Sequence, residues 1–168
     1  EAVEGYFASE QASARPITAH MLVNGFRVLE QDPVVQQLCQ RAEELLATPP
    51  KLSETRDIWK RYLAGNLLED ATDVAGRDPQ TAQIFLAQAV FAMLQYRFEQ
   101  AERFIPRTKE LLAQLDILDP PLAQLARQFY SNIDFAVRLD AAKQIADRTV
   151  AARGFFEWES EPERVANG

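Results

Sequence analysis

From residue 32 onward apolar residues recur at helical spacing, and the runs are sharply punctuated. Asp32-Pro33 reads as an N-cap followed by proline at the first helical position, opening a helix that runs to about Ala47 before Pro49-Pro50. Ser53 can cap a second helix over residues 53–75, closed by Gly76. Asp78-Pro79 repeats the cap-proline start for a third over 79–100, and Pro106 opens a short fourth that ends near Leu115. Asp119-Pro120 opens the last. No Gly or Pro interrupts residues 122–153, so two outcomes are open: one long helix, or two with a break near Ser131–Asp134. Gly154 closes this segment.

The third helix is apolar nearly all round from Ile84 to Leu94, which makes it the expected centre of the fold. The last shows a single stripe of Leu122, Leu125, Phe129, Ile133 and Ala136. The amino-terminal part reads differently. His20-Met21-Leu22-Val23 and Phe26-Arg27-Val28-Leu29 flank Asn24-Gly25, a strong short-range hairpin signal. The expected fold is therefore all-α: an up-and-down antiparallel bundle of about five helices over residues 31–153. Before it come residues 1–30 with a short β-hairpin at 20–29, and after it an acidic tail over 154–168.

The 168-residue chain is 47% apolar and 26% charged, values of a globular domain rather than a disordered tail. No apolar run is long enough for a membrane helix and no signal peptide is visible, so no membrane partner and a cytoplasmic location are expected. The chain opens on Glu1 rather than Met, which reads as a cloned segment, a fragment or a processed product. The net charge is −7, and most of it lies in the flanks: residues 1–14 hold three acids and no base, residues 154–168 four acids and one base. Without a basic stripe to replace phosphate counterions, duplex nucleic acid is not an expected partner. The single cysteine, Cys39, lies among apolar helical positions and reads as a small buried thiol.

A single histidine, His20, and a single cysteine exclude His/Cys zinc clusters, and no Gly-rich phosphate loop or nucleophile elbow occurs. Arg15-x₄-His20 has the Arg…His spacing of helical HEPN ribonucleases, but it contains Pro16 and precedes an expected strand, so it is set aside. Two anomalies remain. The inward face of the second helix, by spacing, is Trp59, Tyr62, Leu63, Asn66, Leu67, Asp70, Ala71 and Val74, which puts Asn66 and Asp70 on an apolar stripe. A buried carboxylate requires a partner, either a structural ion pair or a ligand in a polar cleft. The second anomaly is Arg103-Phe104-Ile105-Pro106-Arg107-Thr108-Lys109, where three cations surround an expected helix start. Such an end favours anions, so the cations make sense around a phosphate or carboxylate, or else serve only solubility. Lys109 is a candidate partner for Asp70. The aromatic cluster Phe155, Phe156 and Trp158 reads as a tail packed back on the bundle.

The run from His20 to Leu29, the segment Leu45-Leu46-Ala47-Thr48-Pro49-Pro50, Leu67-Leu68-Glu69-Asp70, Pro106-Arg107-x-Lys109-x-Leu111-Leu112 and Leu118-Asp119-Pro120-x-Leu122 occur in that order. Together they resemble the carboxy-terminal part of bacterial DNA-polymerase-β-like, aminoglycoside-type nucleotidyltransferases over roughly residues 17–156. The resemblance implies a substrate- and nucleotide-binding helical domain placed after a catalytic domain. That catalytic domain carries Gly-Ser…Asp-x-Asp, whose acids hold Mg ions on a nucleoside triphosphate. No Gly-Ser occurs here, so the chain alone is expected to be inactive, with no catalytic residue and no cofactor of its own. Mg and nucleotide are expected in the full-length protein. The resemblance assigns Lys109 to nucleotide phosphate with Arg107 assisting, and Asp70, Asn66 and Tyr62 to the acceptor pocket. The acceptor would be a small molecule or a hydroxyl. Two other classes fit the composition: the effector-binding and dimerisation domain of a helical transcription regulator, or a partner-binding helical bundle. A symmetric homodimer is compatible with each.

Overall fold

In the computed structural model, residues 2–26 and 32–154 are described. They form eight α-helices: α1 Ala2–Ser13, α2 Ile17–Asn24, α3 Pro33–Ala47, α4 Glu54–Val74, α5 Pro79–Gln100, α6 Leu111–Leu118, α7 Pro120–Ser131 and α8 Phe135–Arg148. A single 3₁₀ turn, Thr108–Glu110, precedes α6. The all-α expectation holds, with more helices than the five expected and no strand among the described residues.

Most helix starts lie where the capping chemistry puts them. Asp32 accepts from the Val34 and Val35 amides, and Ser53 from Arg56. Asp78 accepts from the Thr81 amide at 3.0 Å, Asp119 from Leu122, and Asp134 from Ala136 and Val137. Each side chain replaces an intrahelical acceptor that the first turn lacks. Between residues 122 and 153 the chain takes two helices rather than one. Asn132 Oδ1 accepts from the Asp134 amide at 2.9 Å, Asp134 caps α8, and Ile133 is 94% exposed in the turn, off the stripe that the spacing assigned to it. The fourth helix starts later than Pro106: residues 103–107 are not helical, and α6 begins at Leu111 after the 3₁₀ turn.

The hairpin expected at 20–29 is not formed as such. His20 to Asn24 belong to α2, while residues 27–31 lie outside the described residues, as do Phe155, Phe156 and Trp158. The Asn24-Gly25 pair that signals a turn here closes a helix. The Gly25 amide donates to the Met21 carbonyl at 2.9 Å, and Asn24 Nδ2 donates to the His20 carbonyl at 3.1 Å. Gly25 has φ −78°, so positive-φ freedom is not used; a Cβ there would run into the Met21 carbonyl.

The chain divides into two compact units. Residues 1–52 and 97–114 form the first. In it α2 packs on α3 and both meet α1, around Phe7, Ala19 and Ala42 with Leu22, Val23, Leu45 and Leu46. Cys39 is buried there with its thiol 3.6 Å from the Leu22 carbonyl, as a small core residue. Residues 53–96 and 115–168 form the second. Its fully buried side chains include Leu68, Leu86, Val90, Met93, Leu94, Leu115, Leu122, Phe129 and Ile145. The central stretch of α5 is thus core, although Ile84 is exposed.

The buried face of α4 differs from the one read by spacing. Ala64, Gly65, Leu68 and Ala71 are buried, Trp59 is half exposed, and Asn66 and Asp70 are half-buried. The stripe of large side chains is turned toward the flank because the helix packs through its small residues. A Cβ on Gly65 would lie 2.6 Å from the Gly154 carbonyl oxygen, and Arg61 Nε donates to the Val150 carbonyl at 2.8 Å from the same helix.

Helices α1 and α5 end alike. The Arg15 amide donates to Glu10 and the Arg103 amide to Phe98, each across a non-glycine residue in left-handed backbone, Ala14 at φ 55° and Glu102 at φ 52°. This is the Schellman pattern with glycine missing from its usual place. Glu102 is exposed, so its side chain gains little there. Glu102→Gly is expected to raise stability by about 0.5–1 kcal/mol, read as a higher urea midpoint at unchanged m-value. A midpoint that stays or falls would show that this cap carries no strain.

Candidate functional site

A cavity of about 920 Å³ lies within the first unit. Its wall is built from three stretches: the α1–α2 turn with the outer face of α2, Phe98 near the end of α5, and the segment from Arg103 to Glu110 with Gln114 beyond it. One backbone bond fixes two of them together: the Ile105 amide donates to the Ala14 carbonyl at 2.8 Å. The two Schellman turns therefore sit side by side, and the residue following each is an arginine, Arg15 and Arg103. Cations at helix carboxyl ends are electrostatically favourable, which is reason enough for each alone. It does not require that both line one cavity.

Helix α2 is set by Glu10, whose carboxylate accepts from the amides of Thr18 at 2.5 Å and Ala19 at 3.2 Å. Two of the first-turn amides are thereby occupied from within and are not available to an anion. From α2 come His20, exposed, and the apolar Ile17 and Met21, 63% and 69% exposed. Asn24 Nδ2 lies 3.4 Å from His20 Nδ1.

Arg107 is in the cavity lining, ion-paired to Glu110. Its Nε donates to Oε2 at 3.0 Å and its Nη2 to Oε1, a two-point fork. The Arg107 hydrogen bond holds the Glu110 carboxyl below the usual carboxylate range, and the charges of Arg107, Lys109 and His20 act in the same sense. Arg15 and Arg103 have no side-chain hydrogen-bond or ion-pair partner among the described residues. Among the described residues the cavity thus joins four basic side chains (Arg15, His20, Arg103, Arg107) and a single acid to an apolar wall of Ile17, Met21, Phe98, Phe104 and Ile105. Such a site suits an anionic ligand with an apolar or ring-bearing body.

Of the residues singled out by sequence, Arg107 lines this cavity and Lys109, exposed on the 3₁₀ turn, does not. Asp70, Asn66 and Tyr62 belong to the other unit. Asp70 accepts a hydrogen bond from Asn66 Nδ2 at 3.1 Å, one helical turn away, so its visible partner is local rather than Lys109. In the sequence Arg103 is one member of a cationic run, and Arg15 and His20 flank Pro16 ahead of an expected strand. Their spacing was the available signal. In a helix starting at Ile17, Pro16 sits at the N-cap and no longer counts against it.

No group of three or more His, Cys, Asp or Glu side chains that could hold a metal occurs among the described residues. None of the described helices is long and apolar enough to cross a membrane. Compared with protein-family models, with curated proteins and with solved structures, the chain matches none.

Proposed function

We propose that this chain is the substrate- and nucleotide-side helical part of a nucleotidyltransferase, and that the cavity of residues 15–25, 98 and 103–114 takes the phosphates of the nucleotide. The observation that carries the reading is the meeting of Arg15, Arg103, Arg107 and His20 in one cavity of an acidic chain, with Arg15 and Arg103 unpaired among the described residues. Collecting like charges costs energy unless an anion neutralises them. Arg107, to which the resemblance gives an assisting part beside Lys109, is one of them; Arg15 and Arg103, rather than Lys109, line the cavity with it. The ring-bearing wall of Phe98 and Phe104 gives the nucleoside an apolar surface.

The residues present do not fit the Mg ions of such an enzyme, because the described chain offers no carboxylate cluster for them. No chemical step is assigned to this chain; its part is to bind and orient. Nucleotide transfer would need the acids of a catalytic half.

Titrating ATP into the 168-residue chain by calorimetry tests the reading. Saturable binding is expected, weakened about tenfold or more by Arg103→Ala or Arg15→Ala, as befits loss of a charge-assisted phosphate contact. Lys109→Ala should weaken it about twofold at most, the effect of an exposed charge beside the site. Absence of binding at millimolar ATP, or arginine variants that fold and bind as the parent does, would remove nucleotide phosphate from this cavity.

A further inference from the structure

The arginines of the cavity are not equivalent. Arg15 and Arg103 have no partner among the described residues, whereas Arg107 already holds an anion, the carboxylate of Glu110, through a two-point fork. That fork uses the same planar donors with which an arginine grips a phosphate. We propose that Glu110 is a resident competitor of the cavity: its carboxylate occupies Arg107 in place of the ligand anion, and a ligand must displace it to bind. The proposal rests on the phosphate-binding reading above and adds an internal limit on affinity.

Three features make displacement physically accessible. The partners are only three positions apart, Arg107 and Glu110, across the 3₁₀ turn, so rotation of the glutamate side chain opens the fork without moving a helix. Both side chains are part-exposed, Arg107 at 69% and Glu110 at 39%, so water can take over the carboxylate as it leaves. Lys109 acts electrostatically on Glu110 without lining the cavity, which gives the displaced carboxylate a cation outside the ligand's space. With both partners part-exposed, water and salt screen the pair, which limits the cost of opening it.

Displacement has a signature that simple repulsion lacks. Moving Glu110 aside costs the same whichever anion does it. Neutralising a carboxylate that merely stands nearby instead helps a dianion more than a monoanion. Phenyl phosphate, as its dianion, and phenyl sulfate, a monoanion of the same shape, are the probes, titrated into the parent chain, Glu110→Gln, Arg107→Ala and the double variant at about pH 8, where the phosphate is fully ionised. Glu110→Gln is expected to bind both probes about two- to fivefold more tightly, by the same factor, and the gain should vanish in the Arg107→Ala background. Weaker or unchanged binding by Glu110→Gln would mean that Glu110 only holds Arg107 in place, and the proposal falls. A gain that is larger for phenyl phosphate, or that persists without Arg107, is general repulsion and also overturns it. If no version of the chain binds either probe, the phosphate-binding reading itself fails, which is a different result from an unchanged affinity.

Discussion

Phe129→Ala is expected to lower the unfolding free energy of the unit formed by residues 53–96 and 115–168 by about 3–5 kcal/mol. Among the described residues Phe129 is the largest fully buried side chain, with no exposed surface. Its removal takes away the transfer free energy of a ring and leaves a void that surrounding helices fill only in part. Two further contacts go with it. The Tyr130 ring meets it edge-on at 4.9 Å and 86°, and the Arg138 guanidinium lies 4.5 Å from its centroid. Arg138 also donates to Gln83 at 2.6 Å, so the ring helps hold a cation that links α8 to α5. Against a typical domain stability of about 5–15 kcal/mol, such a loss lowers the melting temperature steeply. Phe129→Leu, which keeps most of the volume, should cost about 1.5 kcal/mol or less. Denaturant titrations followed by circular dichroism measure both. An alanine variant within about 1 kcal/mol of the parent would mean that this core is loosely packed.

Gly65→Val is the second large effect, about 2–3 kcal/mol destabilising. The Cβ would meet backbone, the Gly154 carbonyl oxygen at 2.6 Å, and backbone cannot rotate away as a flexible side chain can. Either α4 or the 150–154 segment must retreat, and retreat strains the Arg61–Val150 hydrogen bond of 2.8 Å. Gly65→Ala meets the same clash but gains about 1 kcal/mol of helix propensity, so it should be milder. Gly76→Ala is the control. No atom lies within 4 Å of a Cβ there and φ is not positive, so it should be neutral or stabilising by about 0.5 kcal/mol. Equal melting temperatures for Gly65→Val and Gly76→Ala would show that the close approach at Gly65 is not needed.

The same glycine explains why α4 buries a different face from the one its spacing predicts. Spacing weighs large apolar residues, and Trp59, Leu63 and Leu67 mark a convincing stripe. Packing distance favours small ones. A helix that approaches a neighbouring backbone does so through Gly65, Ala64 and Ala71, and the stripe of large residues turns partly outward. Spacing puts Asn66 and Asp70 on that stripe as well. They lie at the edge of the buried face and satisfy each other through one hydrogen bond, which no ligand is needed to explain.

The sequence by itself determined most helix starts, because a cap is a local contract between a side-chain oxygen and amides two or three residues on: Asp32, Ser53, Asp78 and Asp119 each keep it. It also determined the all-α class and the burial of Cys39 and of the α5 centre, which follow from periodicity over neighbouring residues. Only the tertiary structure decided that Asn24-Gly25 closes a helix, since that dipeptide suits a helix end as well as a hairpin and the packing of α2 on α3 selects between them. The cavity was likewise beyond local reading. Arg15 and Arg103 are 88 positions apart in number, and what unites them is one hydrogen bond from Ile105 to Ala14 between two helix ends. Caps and stripes are written in near neighbours, whereas a binding site is made wherever the folded backbone brings distant charges together.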